Sequence, residues 1–246
     1  EVEVPRLGGG FGGKEDQATH WAAMAALAAW RLKKPVKLVL TRHEDMTMTG
    51  KRHPYLSDYK LGLNAEGKML AYEVTFYQNG GAAADLSPAI LERSLFHATN
   101  AYAIPHVKAV GISCRTHHPP NTAFRGFGAP QALFVLECAI FKAAEALEVE
   151  PREIQKRNLL QDGDAFPYGT KVERCRQRRC WDVAEHKYSV EARVMEVRQY
   201  NGRNPLRKKG LAFMPICFGI SFTIAFLNQA GALVNVYVDG SVGIST

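Results

Sequence analysis

Residues 6–16, RLGGGFGGKED, constrain this chain more than any other stretch. Five glycines surround one phenylalanine, between a strand-like EVEV (1–4) and a helix-like run, KEDQATHWAAMAALAAW (14–30). A run so poor in side chains is a turn whose backbone N–H groups can come close to an anion or to another loop. Two phosphate motifs fit the spacing. G-x-x-x-x-G-K ends at Lys14, but a P-loop needs Ser or Thr next, and Glu15 there would repel phosphate. G-x-G-x-x-G, through Gly8, Gly10 and Gly13, needs a parallel βαβ unit with an acid closing the second strand. VKLVL (36–40) followed by Glu44 and Asp45 resembles that second strand, so a nucleotide-binding module stays open as an alternative. Against it, long hairpin strands follow instead of a second βαβ repeat. A plain strand-to-helix connection would explain the glycines but not Glu15, which could then serve simply as a first-turn acid on the helix dipole.

Beyond the loop, residues 15–32 read as an alanine-rich helix, apolar on nearly every side and therefore expected to be buried. YLSDYKLGL and MLAYEVTFYQN alternate around NAEGK, which predicts a hairpin. SPAILERSLFH (87–97) predicts a helix with a Ser cap and an early Pro. VKAVGISCR reads as a strand, APQALFVLECAIFKAAEALEV (129–149) and PREIQKRNLL as helices, and residues 181–200 as another helix. GLAFMPICFGISF and GALVNVYVDGSVGIST read as strands, with a turn at Asp239-Gly240. The expected fold class is α+β, with mixed sheets, long hairpins and packed helices. Both ends look cut, so the chain is expected to be part of a longer protein, with units over 1–163, 164–205 (a helical connector) and 206–246.

Composition excludes several classes. The apolar fraction of 46% and charged fraction of 22% are those of a globular domain. No apolar run of about 18 residues occurs, so no membrane partner is expected. The net charge of +7 comes from clusters without interleaved aromatics, so nucleic acid is not expected as a partner either. Five irregularly spaced cysteines and no His/Cys ligand spacing point to reduced thiols in a cytoplasmic protein without a protein-ligated metal.

A second stretch, NTAFRGFGAPQ (121–131), again sets aromatics, glycines and an arginine before a helix, and FGISFT (218–223) adds a third. With MTGKRHP (48–54) and LERSLFH (91–97), these resemble the molybdopterin-binding large subunit or domain of the xanthine dehydrogenase and aldehyde oxidase family. The resemblance covers essentially the whole chain and implies a domain of molybdopterin-binding type. It implies a parent enzyme that oxidises hypoxanthine and xanthine to urate with oxygen from water at a molybdenum-pterin centre. It implies 2Fe-2S and FAD in other domains or subunits, NAD as acceptor and a dimer of the full enzyme. By the same resemblance Phe11, Gly12 and Arg125 belong beside the cofactor, with Phe11 and Arg125 in the vicinity of the molybdenum.

Substrate residues follow by resemblance as well. Glu15 and Arg93 occupy places that are charged in the xanthine-oxidising branch and uncharged in aldehyde-oxidising relatives. A carboxyl group can hydrogen-bond ring nitrogens, and an arginine can stabilise charge developing on a carbonyl oxygen. Phe127 and Phe222 are expected to sandwich a flat heterocycle, and Thr223 to offer it a hydroxyl. An aldehyde or other N-heterocycle hydroxylase of the same family is the alternative. Two departures stand out: neither the Gly-Glu-Pro context of the family's general-base glutamate nor its GGTEMGQG-like pterin loop occurs in the sequence. The 246 residues alone are therefore expected to be inactive.

Overall fold

The computed structural model describes residues 2–4, 7–223 and 225–245. Its centre is a three-stranded sheet in the order β1-β2-β3. β1 (Tyr55–Leu63) and β2 (Met69–Gly81) pair antiparallel, as their alternation predicts. The turn between them is closed by the Gly67 amide on the Asn64 carbonyl (2.9 Å) and the Lys68 amide on Asn64 Oδ1 (2.8 Å). After β2 the chain forms α3 (Ser87–Phe96) and returns as β3 (His106–Arg115), parallel to β2. A parallel return needs a crossover, and α3 supplies it. Among the described residues the fold is α+β with one βαβ unit, and the glycine loop takes no part in that unit.

One face of the sheet is covered. Tyr72, Val74 and Phe76 of β2 are buried with Leu91 of α3 and with Ala132, Leu136 and Ile140 of α4 (Ala129–Leu147). Those α4 positions recur every four residues, a spacing that keeps them on one helix face. Each large apolar side chain buried this way contributes about 1.5–3 kcal/mol. α3 can sit low on β3 because a Cβ at Gly111 would lie 2.8 Å from Leu91 Cγ. Two buried polar hubs tie the layers together. Asn158, just after α5 (Pro151–Arg157), accepts the Met69 amide at 2.9 Å and donates to the Gly67 carbonyl at 2.9 Å, fastening the hairpin turn. Glu137 of α4 accepts from Tyr102 Oη (2.7 Å), Asn100 Nδ2 (3.2 Å) and Gln155 Nε2 (2.7 Å). Burial raises its carboxyl pKa above the ordinary value, and the three donors partly offset that rise.

Several expectations need correction. α1 spans Thr19–Leu32 and buries none of its residues; Trp30 and Leu32 are each 63% exposed. Alanine propensity forms the helix, but no described layer covers its apolar side. Residues 2–4 and 36–40 form no strand, because no described strand lies alongside to supply ladder bonds; Glu1 lies outside the described residues. Glu44 and Asp45 do not close a strand. They open α2 (Arg42–Met48), where Thr41 and Glu44 form a reciprocal capping box. Ser87 is not a cap: Leu86 holds that position, and Ser87 Oγ instead meets His53 Nε2 at 2.7 Å in the core. The expected helix over 181–200 is two, α6 (Gln177–Lys187) and α7 (Val190–Arg203), broken at Ser189 with φ +47°. GLAFMPICFGISF forms no strand; its backbone bonds go to side chains, as described below. The Asp239-Gly240 turn is present between β4 (Leu233–Val236) and β5 (Val242–Ser245).

Replacing Glu137 by Ala strands three buried donors at once. The expected cost is about 3–5 kcal/mol, with Glu137→Gln intermediate, and denaturant unfolding measures it.

Candidate active site

The glycine loop and the second aromatic loop meet backbone to backbone. The Arg125 amide donates to the Phe11 carbonyl at 2.9 Å. A Cβ at Gly12 would lie 2.4 Å from the Ala123 carbonyl oxygen and 2.8 Å from Phe124 Cα, so only glycine allows this approach. Phe11 and Phe127 both take left-handed backbone conformations, φ +54° and +51°. For a bulky residue that costs on the order of 1–3 kcal/mol, a strain that clusters at functional sites.

The loops are held from behind. Gly50 presses on Pro120, where a Cβ would fall 2.1 Å from the carbonyl oxygen; the Lys51 carbonyl accepts the Thr122 amide, and the Lys51 amide donates to Asn121 Oδ1. Arg52 donates to the Arg125 carbonyl at 2.6 Å, and its guanidinium lies 4.5 Å from the centre of the Phe124 ring. Asp85, Thr122 and Gln17 form one cluster: Gln17 Nε2 donates to Asp85 Oδ2 (3.0 Å) and Thr122 Oγ1 (2.9 Å). Gln17 Oε1 also accepts the Glu15 amide at 3.0 Å, which anchors the exposed Glu15 beside these loops.

The third motif arrives from far along the chain. Asn100 donates to the Pro215 carbonyl (2.9 Å) and accepts the Cys217 amide (3.1 Å). His97 accepts the Gly219 amide at 2.9 Å, and Arg93 donates to the Gly219 carbonyl at 2.8 Å and to the Ser221 carbonyl. Side chains of α3 and the turn after it thus satisfy the backbone groups that a neighbouring strand would otherwise take. Phe222, whose amide donates to Asn228 Oδ1 (2.7 Å) and whose carbonyl accepts from Asn228 Nδ2 (3.0 Å), follows this segment and meets Phe127, ring centres 5.3 Å apart and tilted 53°.

The structure therefore brings together Phe11, Gly12 and Arg125, and separately pairs Phe127 with Phe222. Arg125 is exposed, and its guanidinium bonds to no described residue. Arg93 is only 6% exposed, and burial lowers its pKa from the ordinary arginine value; its Nε has no partner among the described residues. No Glu15–Arg93 contact occurs among the described residues. The Glu15 carboxylate accepts its neighbour's Lys14 amide at 2.9 Å instead. Thr223 Oγ1 is buried without a described partner and lines a cavity of about 420 Å³ with Glu92, Phe96 and Tyr168. None of Phe11, Arg125, Phe127 and Phe222 lines that cavity. Sequence reasoning missed His97, Asn100 and Arg52 as positioning groups. His97 and Arg52 lie inside LERSLFH and MTGKRHP, but nothing in their spacing marks what they hold.

A family model described as "Molybdopterin cofactor-binding domain" matches residues 1–159. The chain belongs to this family. It is 45% identical over 241 residues to "Xanthine dehydrogenase/oxidase" of Mus musculus, and 46% identical over 244 residues to "Xanthine dehydrogenase" of Oryza sativa subsp. japonica. Each alignment covers 98% of this chain but 18% of the relative, so the chain spans under a fifth of these proteins. Among solved structures, the aldehyde oxidoreductase from Desulfovibrio gigas superposes with a TM-score of 0.69 at 29% identity, covering 80% of this chain and 21% of that one. The quinoline 2-oxidoreductase from Pseudomonas putida 86 shares the fold, with a TM-score of 0.69 at 21% identity, covering 98% of this chain and 32% of that one. Among the described residues no helix is long and apolar enough to cross a membrane.

The residues fit a molybdopterin centre on their own chemistry. Gly8 and Gly10 have open space where side chains would stand, so their backbone is accessible. The adjoining loop supplies Arg125, whose guanidinium has no partner among the described residues. Backbone N–H groups and a guanidinium suit oxo ligands and the anionic cofactor. Gly12→Ala, strained at φ +100° and clashing with Ala123, is expected to cost more than about 1 kcal/mol, whereas Gly8→Ala is expected to be nearly neutral. Thermal unfolding of the two variants side by side measures the difference.

Proposed function

We propose that this chain forms part of a molybdenum hydroxylase that oxidises hypoxanthine and xanthine, as the names of its Mus musculus and Oryza sativa relatives suggest. The observation that carries the reading is the joining of the two glycine-aromatic loops beside the Phe127–Phe222 pair. In the proposed reaction a ring C–H becomes C–OH with oxygen from water, and two electrons and two protons leave. The cofactor, when bound, supplies the electron acceptor and the activated oxygen. This chain's residues do the rest. Phe127 and Phe222, with ring centres 5.3 Å apart and no gap for a ring between them, form one aromatic wall against which the flat ring packs and which excludes water. Glu15, anchored through Gln17, hydrogen-bonds ring nitrogens, and Thr223 offers its hydroxyl to the ring only by turning out of the separate cavity that it lines. Arg93 stabilises negative charge building on the ring carbonyl, while its bonds to Gly219 and Ser221 set where Phe222 stands. Phe11, Gly12 and Arg125 line the cofactor side.

The same reading divides the chain at 163 and 205 and assigns a cytoplasmic, dimeric parent enzyme. In it, electrons pass through 2Fe-2S and FAD groups to NAD. An aldehyde hydroxylase is the second reading. It is favoured by the likeness to the Desulfovibrio gigas enzyme and by the engagement of Arg93 with backbone carbonyls rather than an open cavity.

Steady-state kinetics of the full-length enzyme with xanthine and with an aromatic aldehyde separate the two. Glu15→Ala is expected to lower kcat/KM for xanthine by roughly ten- to a hundredfold, the worth of a hydrogen bond to a charged group, and to spare the aldehyde. Arg93→Met is expected to lower xanthine turnover further, by on the order of a hundredfold or more. Equal losses on both substrates would make the two residues structural and leave the aldehyde reading standing.

A further inference from the structure

His97 follows the last residue of α3 and is buried. Its Nδ1 lies 2.8 Å from the Arg93 carbonyl oxygen, which can only accept, so Nδ1 carries the hydrogen. Its Nε2 lies 2.9 Å from the Gly219 amide, which can only donate, so Nε2 offers a lone pair. Two neighbours thereby select one neutral tautomer out of three protonation states. The Phe218 ring packs on the imidazole with centres 5.0 Å apart, and the Arg93 guanidinium lies 5.4 Å from the centre of that same ring. On its own helix the charged group acting on His97 is Arg93; from the docked segment it faces Phe218 and Gly219, neither of which titrates.

We propose that His97 is a positioning residue for the substrate site. Neutral, it latches the Gly219 amide and keeps Phe222 against Phe127; protonated, it releases residues 218–223. The proposal rests on Phe127 and Phe222 being walls of that site. A proton on Nε2 would set one N–H against another and add a second cation beside Arg93, in a pocket where water cannot screen either. Burial keeps the His97 pKa below the ordinary value of 6.5; the bond to the Arg93 carbonyl opposes this, and the Arg93 charge adds a smaller push downward. The undocked segment leaves His97 free to bind a proton that the docked state refuses. Docking is therefore complete above about pH 6.5 and weakens as pH falls below it, until the lowered docked pKa is reached.

Hydrogen–deuterium exchange of residues 215–223 in the full-length, cofactor-loaded enzyme reads the latch directly. Protection of this segment, corrected for intrinsic rates, is expected to fall up to about tenfold between about pH 7.5 and 5.5. KM for xanthine should rise in parallel over the same range, with kcat changed less than about twofold, as for a loss of uniform binding. His97→Gln, whose amide oxygen can still accept from Gly219 but does not titrate, is expected to keep protection and KM flat across the range. His97→Phe is expected to lose protection at every pH. Protection that does not change with pH in the unmodified enzyme would overturn the proposal, and so would an acid loss that persists in His97→Gln. If the enzyme turns over no xanthine at any pH, the substrate reading fails, and the exchange data still decide the latch.

Discussion

The constraint on which the candidate site depends is the absence of a side chain at Gly12. A single Cβ there would occupy the space of the Ala123 carbonyl, and the two loops could not touch. Because they do touch, the Arg125 amide reaches the Phe11 carbonyl, and within the two turns Phe11 and Phe127 take left-handed backbone. Strain at Phe11 and Phe127 is therefore the local cost of presenting two rings and a guanidinium from adjacent turns. The βαβ core and the supports at Gly50, Arg52 and Asp85 are stable enough to impose it.

A second theme is that buried polar side chains replace a missing strand partner. Residues 215–221 carry no ladder of their own, yet Arg93, His97 and Asn100 meet successive backbone groups of this segment. Such groups are costly to bury unpaired and modestly favourable when paired, so the arrangement gains specificity more than stability. The same Asn100 also donates to Glu137, which links the docked segment to the centre of α4 and, through Gln155, to α5. Position at the candidate site is thus inherited from the core through a continuous set of hydrogen bonds.

The regular elements were legible wherever the pattern was self-contained. The β1–β2 hairpin carries its own alternation and its own Asn/Gly turn, and α4 carries its apolar stripe. The failures share a cause. α1, residues 2–4 and residues 36–40 are apolar enough to predict burial and pairing, but pairing depends on what lies alongside, and no described strand does. Ser87 looked like a cap because serine caps helices on average, whereas His53, more than thirty residues earlier, claimed its hydroxyl instead.

For the site, the amino-acid sequence by itself determined the chemistry on offer: two glycine-aromatic turns, a guanidinium at Arg125, a carboxylate at Glu15 and a pair of phenylalanines. Glycine content and residue type are local properties, and they can be read without knowing the neighbours. Tertiary structure alone decided which of these meet. It joined Phe11 to Arg125 and Phe222 to Phe127, turned Arg93 toward backbone carbonyls, and gave Thr223 a different cavity. Those outcomes depend on contacts between residues far apart along the chain, 95 positions for Phe127 and Phe222 and more than a hundred for Phe11 with Arg125 and Arg93 with Gly219, where packing and hydrogen-bond geometry rather than spacing along the chain select the partner.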